Sequence, residues 1–133
     1  MIPSDTPLNM PNCGVIAVAV LSGRTYREVE DLFREKFGRT AKWRGRTLAT
    51  ERTRALIRLG LTVQRTYAAR RTTMKMWLDT HYDPDKTYEL TITGHAVAIK
   101  DGLLCDQQFT HGVDPRKSTY LRKYVRSWIE IWN

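Results

Sequence analysis

Cys13 stands where a buried helix is expected to begin. It follows the Pro11-Asn12 turn and directly precedes the apolar run 15–21. The unpaired N–H groups and the positive dipole at the start of a helix favour negative charge, so they lower the pKa of a thiol placed there. Cys13 is therefore a candidate nucleophile, and the alternative is a small buried residue of a core helix.

His95 and Asp106 are the residues that could activate such a thiol. The composition predicts strands over 88–99 and 103–109, joined at the hairpin signal Asp101-Gly102. In that register the two side chains lie diagonally opposite each other on one face of the sheet, where the carboxylate reaches the imidazole. A thiol, a base and an acid that orients the base are the groups used in nucleophilic cysteine catalysis.

The order and spacing of these residues resemble the papain-like cysteine peptidases. The likeness rests on Cys-Gly at the head of an apolar helix, on Gly-Arg-Thr-Tyr-Arg-Glu-Val after it, and on Gly-His-Ala-Val-Ala-Ile-Lys-Asp-Gly-x-x-x-Asp. It spans residues 12–106 and is closest to bacteriocin-leader-processing peptidases and small bacteriophage-encoded papain-like proteins. It implies Cys13 as nucleophile, His95 as general base and Asp106 as orienting acid. The implied reaction is cleavage of a peptide or isopeptide, or a related acyl transfer, on a peptide or protein substrate without a cofactor.

One position departs from that family. Its members usually carry a glutamine about six residues before the cysteine, which completes the oxyanion hole, and here that position is Pro7. Asn9 and Asn12 are the candidates to replace it, together with the backbone N–H of Cys13.

The element pattern predicts one α+β domain over residues 1–133, with N-terminal helices followed by an antiparallel β-sheet, the arrangement that the papain-like resemblance implies. Residues 1–12, with three prolines, are expected to be an extended lead-in. The other elements predicted from periodicity and capping signals are helices at 13–22, from Thr25 to about Phe37, from Thr47 or Thr50 to Gly60, and from Thr72 or Thr73 through Leu78, and strands at 61–68 and 120–132.

Positive charge is concentrated in the first half of the chain. The whole sequence carries 22 Lys/Arg against 14 Asp/Glu, a net charge of +8, and residues 24–75 hold a net charge of +10. Arg52, Arg54 and Arg58 are expected on the outer face of the third helix. The loop 39–46 presents Lys42, Trp43, Arg44 and Arg46, a pattern that can stack on a base and grip phosphates. Trp43 can equally fold back onto the domain.

These basic residues support a second function. A papain-like scaffold that no longer catalyses could serve as a basic binding module for nucleic acid or for an acidic host protein. A third hypothesis is a peptidase that selects acidic substrates. A salt-dependent interaction with nucleic acid would favour the binding module.

A metal site is not expected from the sequence. Cys13, His95, Cys105, Asp106 and His111 are all of ligand type, but no pair of them shows the short spacing of structural zinc sites. His81 and His111, in predicted loops, are alternative bases if the hairpin register differs.

The run 15–21 is too short to span a bilayer, and the N-terminus lacks the features of a signal peptide. A chain with only two cysteines suits a reducing compartment. We therefore expect a cytoplasmic protein, in the host cell if it is phage-encoded.

Overall fold

Four helices and five strands follow one another along residues 1–40 and 42–132, which the computed structural model describes. The helices are α1 (Cys13–Ser22), α2 (Tyr26–Lys36), α3 (Ala49–Arg58) and α4 (Met74–Thr80). The strands are β1 (Thr62–Tyr67), β2 (Thr87–Ile92), β3 (His95–Lys100), β4 (Leu103–Cys105) and β5 (Val125–Trp132). The predicted α+β class is confirmed. Ala41, within the predicted loop 39–46, and Asn133, at the end of the predicted domain, lie outside the described residues.

The strands form one antiparallel sheet in the order β1-β5-β2-β3-β4. The helices α1, α2 and α3 contribute to a core on one face of this sheet, together with Ala98 and Ile129. The other face packs against α4 and the segment that precedes β5, with Trp77 buried at its centre. Because helices cover both faces, most side chains of the central strands β2 and β3 are buried.

Helix α1 is apolar on all sides, which is typical of a helix enclosed by its neighbours. Its residues from Gly14 to Leu21 are buried, and it ends at Gly23, whose φ of 71° lies in the left-handed region that glycine adopts readily. Helix α2 is amphipathic and begins with the predicted capping box between Thr25 and Glu28. The starts predicted for α1 and α2 are therefore confirmed.

The strand predicted over 88–99 is in fact a hairpin. Thr93 and Gly94 form a two-residue turn, Gly94 has a φ of 71°, and Ile92 pairs with His95 across it. The turn places His95 at the first position of β3. At this end of the strand a side chain can extend past the edge of the sheet.

Two further strand boundaries differ from the prediction. The strand expected over 103–109 ends at Cys105, because the Asp106 carboxylate accepts hydrogen bonds from the next residues and turns the chain. The strand expected over 120–132 begins only at Val125. Tyr120 lies in the preceding turns, so its side chain is free to point towards the hairpin.

None of the helices in residues 1–40 and 42–132 has the length and apolar character needed to cross a membrane.

Candidate active site

The Cys13 thiol lies at the first residue of α1 and opens onto a cleft of about 1000 Å³. The residue is half-buried and its thiol is free. The Asn12 side chain does not cap the helix, so the N–H groups of its first turn are not taken up by a capping side chain. His95 and Asp106 line the same cleft. The structure therefore brings the three predicted residues together.

The hairpin between β3 and β4 positions the base and the acid. Lys100 pairs with Leu103, as the Asp101-Gly102 turn predicts, and His95 Nε2 lies 2.7 Å from Asp106 Oδ2. The carboxylate is buried, whereas about a quarter (23%) of the imidazole is exposed. Because Nε2 faces the acid, Nδ1 is the nitrogen left to exchange a proton with the sulfur.

The Asp106 carboxylate is held by four groups. Oδ2 faces His95 and accepts the Tyr120 hydroxyl, and Oδ1 accepts the backbone N–H groups of Gln108 and Phe109 at 2.9 and 2.8 Å. Burial raises the pKa of Asp106, but the His95, Tyr120 and backbone hydrogen bonds outweigh it and lower the pKa below the usual 3.8. Asp106 is thus a fixed, ionised acceptor for the imidazole.

The thiol and the imidazole shift each other's pKa in opposite directions. Burial raises the pKa of Cys13, but the His95 imidazole, the Ala96 backbone N–H and the Arg52 guanidinium together lower it below its ordinary 9.0. Burial lowers the pKa of His95, whereas Asp106 and the Cys13 sulfur raise it from 6.5 to about 9. These shifts favour a thiolate–imidazolium pair over two neutral groups.

Tyr120 is a site residue that the sequence did not identify. Its half-buried ring packs on the His95 imidazole with centroids 5.3 Å apart, and its hydroxyl donates to Asp106. Burial and the neighbouring Asp106 carboxylate raise the pKa of the phenol, so it remains a donor. Tyr120 therefore fixes both the acid and the plane of the base.

Replacing Tyr120 with phenylalanine is expected to slow acylation of Cys13 by p-nitrophenyl acetate about tenfold, because a hydrogen bond to a charged group is lost. The free energy of unfolding should fall by about 1 kcal/mol, measured by urea denaturation. The exposed Tyr124 offers a matched control, since Tyr124→Phe removes a hydroxyl outside the cleft. Equal rates in the two variants would show that Tyr120 does not position the base.

Neither asparagine proposed for the oxyanion hole lines the cleft that holds the sulfur. Asn12 is fully buried, its amide donates to Pro7 O and the Tyr26 hydroxyl, both at 3.0 Å, and its Oδ1 accepts from Gln107. Asn9 is exposed and lies outside the cleft lining. The expectation that Asn12 or Asn9 replaces the family's glutamine is therefore corrected. The backbone N–H of Cys13 remains as a donor.

Gln107 joins the two halves of the site. Its side-chain amide donates to Met10 O at 2.8 Å and to Asn12 Oδ1, so the residue after the acid is tied to the residue before the nucleophile. The only sequence signal for this contact was the position of Gln107 next to Asp106. The contact fixes the start of α1 relative to the hairpin that carries His95.

The basic loop and Thr47 after it pack on the two residues that flank the nucleophile. A Cβ on Gly14 would meet Thr47 Oγ1 at 2.0 Å, and a Cβ on Gly45 would meet the Asn12 Cβ at 2.6 Å, so only glycine allows this approach. The glycine that follows Cys13 is therefore required by packing. Of the four predicted binding residues, Trp43 and Arg46 line the cleft, whereas Lys42 and Arg44 are exposed outside it.

Arg52 points inward, in contrast to the prediction for the third helix. Its guanidinium donates to Glu89 Oε2 at 3.0 Å and to Thr91 Oγ1 at 2.8 Å, and Arg65 reaches the same carboxylate oxygen at 3.2 Å. Two cations thus share one fully buried acid behind the cleft. The excess positive charge explains why Arg52 lowers the pKa of the Cys13 thiol.

The remaining candidate residues lie away from the cleft. Cys105 is buried in the core beside α1, on the sheet face opposite Asp106. His81 directly follows α4 and packs on Trp128, and His111 is exposed in a loop. In the part of the chain that the structure describes, no group of three or more His, Cys, Asp and Glu side chains is arranged to hold a metal ion.

Comparisons of the chain with protein-family models, with curated proteins and with solved structures found no match.

Proposed function

We propose that this protein is a cysteine-thiolate acyl-transfer enzyme, acting as a peptidase or isopeptidase with a papain-like arrangement of its residues. The observation that carries the proposal is the arrangement in one cleft: Cys13 and His95 both line it, His95 contacts Asp106, and Asp106 accepts the Tyr120 hydroxyl. Covalent catalysis requires a nucleophile, a base in the same cleft and an acid that orients the base.

The reaction would proceed in two steps. The Cys13 thiolate attacks a substrate carbonyl carbon, a C–S bond forms, and the His95 imidazolium gives its proton to the leaving amine as the C–N bond breaks. His95 then takes a proton from water, the hydroxide attacks the thioester, and the Cys13 thiolate leaves. Throughout, Asp106 holds the imidazole, and the backbone N–H of Cys13 faces the developing oxyanion.

The elements of the fold are consistent with the papain-like proposal. The nucleophile begins an enclosed helix, whereas the base and the acid come from an antiparallel hairpin later in the chain. The absence of a side-chain donor from Asn9 or Asn12 makes the oxyanion hole simpler than the family's. Transfer to an amine, or deamidation of a side-chain amide, uses the same residues and chemistry.

The alternative is a binding module without catalysis, which the exposed cations Lys42 and Arg44 favour. Binding alone does not require a buried carboxylate that fixes an imidazole beside a half-buried thiol. The contacts of Asp106 therefore favour the enzyme.

A peptide library prepared from a whole proteome tests the proposal. New N-termini, detected by mass spectrometry, are expected with the wild type and should disappear with Cys13→Ala. Cys105→Ala is the matched control, because it removes the other thiol, which lies in the core beside α1. If the wild type generates no new termini and deamidates no side chain, or if Cys13→Ala acts as the wild type does, the proposal is wrong.

A further inference from the structure

The cleft at Cys13 is strongly cationic. Four arginines line it, namely Arg39, Arg46, Arg52 and Arg126, and among the described residues the only carboxylate in its lining is Asp106. Asp106 is buried and its oxygens already accept hydrogen bonds from four groups. The lining therefore offers positive charge to a ligand and no free negative charge.

Two of the four arginines already form ion pairs with nearby acids. Arg52 pairs with Glu89, and Arg39 pairs with Glu51. Arg46 and Arg126 differ, because both are exposed and neither forms an ion pair with any other described residue. They are the cations available to a ligand.

These two arginines come from separate elements that are firmly held. Arg46 follows Gly45, whose close packing on Asn12 fixes the loop beside the nucleophile, and its carbonyl accepts the Trp43 Nε1–H at 2.7 Å. Arg126 lies on β5, which pairs with β1 and β2 on its two sides, and its carbonyl accepts the Ala68 N–H at 3.0 Å. Both guanidinium groups thus extend from a fixed backbone into the cleft.

We propose that this cleft selects peptide substrates with acidic side chains, which Arg46 and Arg126 bind; this rests on the proposed acyl-transfer function. Arginine forms bidentate hydrogen bonds with carboxylates, so two unpaired guanidinium groups suit Asp or Glu side chains near the scissile bond. Leu48, which also lines the cleft and is 64% exposed, supplies apolar surface for the rest of the peptide.

The surroundings of Trp43 favour a peptide over a nucleic acid. Its ring is stacked on Phe33 with centroids 5.8 Å apart, and the guanidinium carbons of Arg34 and Arg39 lie 5.4 and 5.7 Å from the ring centroid. Binding of single-stranded nucleic acid relies on aromatic faces that are free to stack on bases. The one aromatic residue of the basic loop is already committed to contacts within the protein.

The first test compares two reagents at Cys13 that differ in charge. Iodoacetate is an anion and iodoacetamide is its neutral analogue, and peptide mapping separates Cys13 from Cys105. In Arg46→Gln/Arg126→Gln the ratio of iodoacetate to iodoacetamide rate constants is expected to fall about three- to tenfold at low salt, and less at high salt. The control Arg54→Gln/Arg58→Gln removes the same charge from the exposed face of α3 and should retain the wild-type ratio.

Iodoacetamide is uncharged, so its rate constant reports how much of Cys13 is present as thiolate. This rate therefore separates the acyl-transfer proposal from the proposal of acidic selectivity. A slow rate near pH 7 would overturn the acyl-transfer function. A fast rate with equal ratios in the two double variants would overturn only the acidic selectivity.

The second test identifies the ligand class by protection of Cys13 from iodoacetamide. A glutamate-rich peptide is expected to protect the wild type, and its glutamine counterpart and Arg46→Gln/Arg126→Gln should show little protection. Equal protection by the two peptides would refute the selectivity. Stronger protection by a single-stranded oligonucleotide than by the acidic peptide would also refute it, in favour of nucleic acid.

Discussion

Replacement of His95 by alanine is expected to reduce acylation of Cys13 by p-nitrophenyl acetate by about 100-fold or more at neutral pH. A positioned base contributes 10²–10⁴-fold to such reactions, by the magnitudes typical of general acid–base catalysis. In this protein His95 is also the main group that lowers the pKa of Cys13 against the effect of burial. Its loss should return the thiol towards its ordinary value of 9.0 or above it, so that little thiolate is present at pH 7.

The pH dependence follows from the direction of each shift. The pKa of Cys13 is lowered, so the rising limb of peptide turnover should lie below pH 9.0 in the wild type. The pKa of His95 is raised to about 9, so the imidazolium that protonates the leaving amine is present below that pH and lost above it. Turnover is therefore expected to be bell-shaped, with a falling limb near pH 9, and His95→Ala should remove that limb.

His111→Ala is the matched control for this experiment. His111 is exposed in a loop and was the alternative base if the hairpin register were different. We expect the acylation rate and the pH profile of His111→Ala to equal those of the wild type. If His111→Ala slows the reaction as much as His95→Ala does, the hairpin does not carry the base, and the assignment of the site fails.

Local signals in the sequence were sufficient for the main residues of the candidate site. A turn before an apolar run fixes the start of α1 at Cys13, and the Asp101-Gly102 turn fixes a register in which His95 and Asp106 share a face. Both predictions depend on residues close together in the chain. These two predictions concern the geometry of the site, and the catalytic activity that we infer from that geometry stays a prediction.

Contacts between distant segments were not predictable in the same way. Gln107 bonds to Asn12, 95 residues earlier, and Tyr120 reaches Asp106 because β5 starts five residues later than its alternating pattern suggests. Arg52 occupies a helical position that suits an outward cation, yet it turns inward because Glu89 is buried opposite it. Such pairings depend on how elements pack, which periodicity alone does not specify.

Glu89 is the residue whose loss is expected to cost the fold most. It is fully buried on β2, and its carboxylate accepts hydrogen bonds from Arg52, Arg65 and Thr91. Desolvated charges are costly, and the two arginines depend on this acid for their compensation. Replacing one partner of such a cluster leaves uncompensated charge inside the protein, whereas replacing the whole cluster by apolar side chains can be neutral.

Glu89→Gln keeps the shape of the side chain and removes its charge, so it isolates this effect. The free energy of unfolding is expected to fall by about 3–5 kcal/mol, measured by urea denaturation with the slope of the transition unchanged. Glu35→Gln, on the exposed face of α2, is the control and should change it by less than about 0.5 kcal/mol. Similar small losses in both variants would mean that water or backbone groups already compensate Arg52 and Arg65. In that case the cluster would not hold α3 against the sheet, and its influence on the Cys13 thiol would be electrostatic alone.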